Sequence, residues 1–123
     1  MAVPPKLAKE IDDLPSKPEI VEEGGHVNLI FRGFDVGQNF NSPVTDLLIR
    51  IPFAYPDAGP DMFWTSTGLL LRNGNAPEAA GHLETHAGIQ WRRFSWHHNG
   101  WNPNRDNLHS FLEFVRRRFR EAR

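Results

Sequence analysis

The feature that most constrains this chain is the punctuated stretch at residues 47–64, LLIRIPFAYPDAGPDMFW. Its lead-in, from Thr45 to Phe53, is rich in β-branched and aliphatic residues, which suit a strand buried on at least one face. The run then stops. Proline fixes φ at Pro56 and Pro60 while Gly59 frees it, so a packed, irregular corner has to follow before a second apolar run opens at Met62. On spacing alone this is a proline-rich link between two strands.

The flanking segments extend that picture. Leu7, Ile11 and Leu14, four and three apart and closed off by Pro15, predict a short N-terminal helix or arm within residues 1–16. Two apolar runs, Glu19 to Glu23 and His26 to Phe34, flank Gly24-Gly25, the pattern of a hairpin with a two-residue turn. Gly33 to Pro43 reads as a polar loop, Thr45 to Phe53 as a third strand beside the second, and Asp61 to Thr65 as a short fourth. Residues 17–67 are therefore expected to form a β-meander. Residues 68–101 show no sustained period beyond a tight turn at Arg72-Asn73-Gly74-Asn75, and are expected to be an irregular, function-bearing segment. Over 102–122, Asn102 is placed to cap a helix starting at Pro103, and Leu108, Phe111, Leu112, Val115 and Phe119 line one face. The predicted class is α+β: a four-stranded antiparallel β-meander packed against a C-terminal amphipathic helix, with a short N-terminal helix.

A chain of 123 residues has room for one hydrophobic core, so a single domain over 1–123 is expected. A net charge of −1 argues against a general nucleic-acid binder. The first 23 residues hold Glu10, Asp12, Asp13, Glu19, Glu22 and Glu23 against three Lys, whereas Arg116, Arg117, Arg118, Arg120 and Arg123 crowd the end, and that basic end reads as a solvated helix face. No apolar run approaches the roughly 18 residues that cross a bilayer and no leader opens the chain, so a cytoplasmic protein is expected. Cysteine is absent, which removes disulfides, thiolate metal sites and thiol nucleophiles from the chain.

The order Ile51-Pro52, Tyr55-Pro56, Pro60, Phe63, Trp64 and Thr65 resembles the segment between the third and fourth strands of the ubiquitin-conjugating (E2-type) superfamily, with Gly59 in place of the first proline of the usual pair. More narrowly, YPDAGPDMFW together with QWRRFSWHHNGWNPNRDNL is similar to the bacterial branch called prokaryotic E2 family E. The resemblance runs over roughly residues 19–119. It implies a UBC-like fold and a carrier that takes the C-terminus of a ubiquitin-like protein from an E1-like activating enzyme, with no cofactor. Partners would be those two proteins, with neither nucleic acid nor membrane.

In that superfamily a His-Pro-Asn turn precedes a catalytic cysteine, and a Trp-x-Pro follows about eight residues later. Trp101-Asn102-Pro103 matches the last of these; no His-Pro-Asn occurs, and counting back lands at Arg93, within two of Ser95. Trp91, Phe94, Ser95 and His97 match the family-E pattern. Three readings stay open. Ser95 could accept the tail as an oxyester, with His97 as base on the same side of an extended stretch, His98 beside it, and Asn99 supporting the oxyanion. Arg92, Arg93 and Trp101 would then hold the incoming tail. Alternatively the chain is a non-catalytic variant that binds a ubiquitin-like protein or partner enzyme, with Trp91, Phe94, Trp96 and Trp101 as core or interface. The third reading is a zinc protein using His82, Glu84, His86, His97 and His98. His26 and His109 read as structural.

Overall fold

The fold was analysed in a computed structural model that describes residues 3–123. Helix α1 (Pro5–Asp12) precedes six strands, β1 (Glu19–Glu23), β2 (His26–Asp35), β3 (Val44–Pro52), β4 (Phe63–Ser66), β5 (His82–His86) and β6 (Ile89–Phe94), and helix α2 (Leu108–Arg120) closes the chain. All neighbouring strands run antiparallel, in the order β1-β2-β3-β4-β6-β5. The class is α+β. The first four strands form the expected meander, and Gly24-Gly25 turns its first hairpin with φ of 55° and 81°, which a residue with a Cβ adopts only at a cost.

Two expectations are corrected. The sheet has six strands, because residues 82–94 form a hairpin where an irregular segment was expected. Its turn is Ala87-Gly88, both at positive φ (53° and 74°), and Ala87 lacks the Asn or Asp signature that announces such turns. Tertiary contacts hold it there: the Ala87 N–H donates to both carboxylate oxygens of Glu23 at 3.0 and 3.1 Å. The six-stranded sheet thus curls until edge strand β1 meets the β5–β6 turn. The C-terminal helix begins at Leu108, not near residue 102. Asn107 caps it and completes a reciprocal capping box with Ser110, whereas Asn102 accepts the Asn104 N–H into a separate turn fastened by Asp106.

Alternation along the strands sorts the core. Leu47, Ile49 and Ile51 of β3 face α2 together with Val27, Leu29 and Phe31 of β2. The predicted stripe of α2 (Leu108, Phe111, Leu112, Val115, Phe119) is at most 3% exposed and meets them. Each such side chain stabilises the fold by about 1.5–3 kcal/mol. The opposite face holds a second, smaller cluster of Ile30, Leu48, Trp64 and Trp91. At the N-terminus, Leu7 and Ile11 of α1 are buried as expected, and Glu10 between them accepts from the Leu108 N–H at 2.9 Å, so that α1 closes the start of α2.

Candidate functional site

Residues 95–98 leave β6 in an extended path pinned on both sides: the Ser95 N–H donates to the Ala79 carbonyl at 3.0 Å and the His98 N–H to the Asp61 carbonyl at 3.2 Å. Trp96 is buried, its ring edge-on to Phe63 and Phe94 and its Nε1 donating to the Glu78 carbonyl at 2.8 Å. His98 also turns inward, against Phe111, Phe114 and Trp101, and its Nδ1 is buried without a hydrogen bond. Ser95 and His97 alternate with them, as the two-residue period requires.

They are not joined by a hydrogen bond. Ser95 Oγ accepts from Arg93 Nε at 3.0 Å, and His97 Nδ1 is 2.7 Å from Asp61 Oδ2. Asp61 was no candidate in the sequence; it belongs to the corner after Pro60, and only the fold brings it across 36 residues to His97. A carboxylate on Nδ1 selects the tautomer whose Nε2 keeps a lone pair. Both side chains are about half exposed (52% and 54%), so Nε2 can reach a second molecule.

The remaining candidates divide. Arg92 points the other way and donates to the Thr67 and Ala80 carbonyls, fastening the 67–80 segment to β6. Arg93 lies on the outer face with Ser95, its Nη1 2.8 Å from Glu84 Oε2. Trp101 packs on Tyr55 and donates to the Pro56 carbonyl at 2.8 Å. Asn99 is exposed. His82 and His86 flank Glu84 at 3.6 and 3.0 Å, while His97 and His98 are engaged elsewhere; among the described residues no three His, Cys, Asp or Glu side chains are grouped to hold a metal ion. Burial opposes the charge on Glu84, but hydrogen bonds from His86 and Trp64 and the charge of Arg93 outweigh it and hold its carboxyl below the usual range. A cleft of about 360 Å³ opens on this outer face, between Asp61 and the Trp64, Glu84 and His86 side chains.

The family model of prokaryotic E2 family E matches residues 4–122. The chain belongs to prokaryotic E2 family E. Membership points to an E2-like role in a bacterial conjugation pathway. No curated protein and no solved structure matches the chain. For this family E chain the absence of cysteine leaves only oxygen and nitrogen nucleophiles around the corner formed by Asp61 and residues 95–98. No helix among the described residues is long and apolar enough to cross a membrane.

Proposed function

We propose that this family E chain is a single-domain, UBC-like carrier that takes the C-terminus of a ubiquitin-like protein from an E1-like activating enzyme and holds it as an oxyester on Ser95. The observation that carries the reading is the Asp61–His97 pair, a base with its orienting carboxylate, set two residues from a hydroxyl on the same outward side. Ser95 Oγ attacks the thioester carbonyl; the C–O bond forms, the C–S bond breaks, and the hydroxyl proton passes through His97 Nε2 to the departing thiolate. Approach of the exposed His97 side chain to the Ser95 hydroxyl is needed, and such hydrogen bonds commonly tighten only once substrate is bound.

A second reading is the non-catalytic docking module. It is favoured by the resting engagement of Ser95 Oγ with Arg93 in place of a histidine. Incubation with the activating enzyme, ATP and ubiquitin-like protein, followed by intact mass spectrometry of wild type, Ser95→Ala and His97→Gln, separates the two. The carrier yields an adduct that survives thiols, breaks in hydroxylamine, vanishes in Ser95→Ala and forms more slowly in His97→Gln. Retained binding with no adduct in any form establishes the docking module.

A further inference from the structure

We propose that Arg93 is itself a catalytic residue, whose guanidinium stabilises the negative charge that develops on the Ser95 oxygen. This rests on the reading of Ser95 as acceptor. Arg93 Nε donates to Ser95 Oγ at 3.0 Å while Nη1 is held by Glu84 Oε2 at 2.8 Å. Glu84 is in turn fixed by Trp64 Nε1 at 2.9 Å and His86 Nε2 at 3.0 Å. The cation is therefore set in place before any reaction, which is the condition under which a donor lowers a barrier instead of reorganising during it.

Three features favour this role over a merely structural ion pair. The donor contacts the reacting oxygen itself and leaves the hydroxyl proton free for a base. The Arg93 and Glu84 side chains are only 31% and 25% exposed, so solvent screens the charge less than at an open surface. The forked guanidinium serves two acceptors at fixed angles, which a lysine ammonium does not. Arg92, next in the chain, differs: its donors all end on backbone carbonyls.

The test uses the absence of cysteine: Ser95→Cys places one thiol in the chain. Its apparent pKa is read from the pH dependence of alkylation, folded and in urea. Other charged groups lie on the neighbouring elements: Asp61 with His97 from the corner, His82 and Glu84 from β5, and Glu78, Arg118, Glu121 and Arg123 around the cavity beyond Ala79, whose carbonyl takes the Ser95 N–H. The series is therefore repeated in a His97→Gln background. The folded Ser95→Cys thiol is expected to titrate about one unit or more below its value in urea, where a free thiol lies near 8.5. Arg93→Gln should erase that shift and Arg93→Lys should keep part of it. A folded value at or above the urea value, or one unmoved by Arg93→Gln, overturns the proposal; the folded-against-urea comparison decides even if Arg93→Gln does not fold. An adduct on wild type without an Arg93-dependent shift sinks only the role of Arg93. A shift without any wild-type adduct sinks the carrier reading and the catalytic role together.

Discussion

The indole of Trp101 occupies the place where a side chain on Gly59 would stand: a Cβ there would fall 2.1 to 2.5 Å from three ring atoms. The ring cannot easily give way, because Nε1 is bonded to the Pro56 carbonyl and the face packs on Tyr55. This accounts for the glycine at position 59. Gly59→Ala is expected to cost about 1–3 kcal/mol by overpacking, measured by urea denaturation. Adding Trp101→Ala should return part of that loss, since two residues in contact are not additive; strict additivity would show that they do not meet.

Glu10 governs the junction of the two helices. It accepts from Lys6 at 2.6 Å, from the Leu108 N–H at 2.9 Å and from the Tyr55 hydroxyl. Burial pushes its pKa up, but these bonds win and hold it below the ordinary 4.5, while burial and Glu10 together push the Tyr55 hydroxyl up. A carboxyl whose folded pKa is lowered contributes stability that is complete above its unfolded value and lost as pH falls through the folded one. Glu10→Gln should therefore destabilise by about 1–3 kcal/mol at pH 7, and its stability should fall less steeply than wild type below pH 4.5. Equal acid slopes in parallel denaturation series would remove Glu10 from this role.

Glu23 is the clasp between the edges of the sheet. Its carboxylate takes the Ala87 N–H and the Asn28 amide, and those bonds lower its pKa. With Glu23→Ala, the Ala87 N–H loses its acceptor and the positive-φ turn loses what holds it. Hydrogen exchange at Ala87 should accelerate about tenfold or more, while amides of β2 and β3 change little. In wild type, because the folded pKa is depressed, the same opening should appear as pH falls below the ordinary carboxylate value and be absent above it. Unchanged protection at Ala87 would show that the hairpin stands without the clasp.

Much of the frame was legible in the residues because its causes are local. Gly24-Gly25 satisfies the φ demands of a hairpin, β3 ends where Pro52 and the corner begin, and the stripe from Leu108 to Phe119 records the face that α2 buries. The helix start is not legible in the residues, because Asn102 and Asn107 are equally good caps by composition. Which one acts depended on Asp106, which accepts the Asn102 N–H and draws that residue into a turn of its own. The β5–β6 hairpin is not legible in the residues, since Ala87 gives no turn signal and its partner Glu23 lies 64 residues away.

The candidate site divides in the same way. The sequence by itself determined the absence of a thiol and the common side shared by Ser95 and His97 in an extended stretch, both of which follow from residue type and a two-residue period. Only the tertiary structure decided that His97 turns to Asp61, that Arg93 joins Ser95 to Glu84, and that Arg92 closes on Thr67 and Ala80. Those pairings depend on which strands lie side by side and on how far the sheet curls. Periodicity sets the face on which a side chain emerges, but long-range packing chooses the partner that waits there.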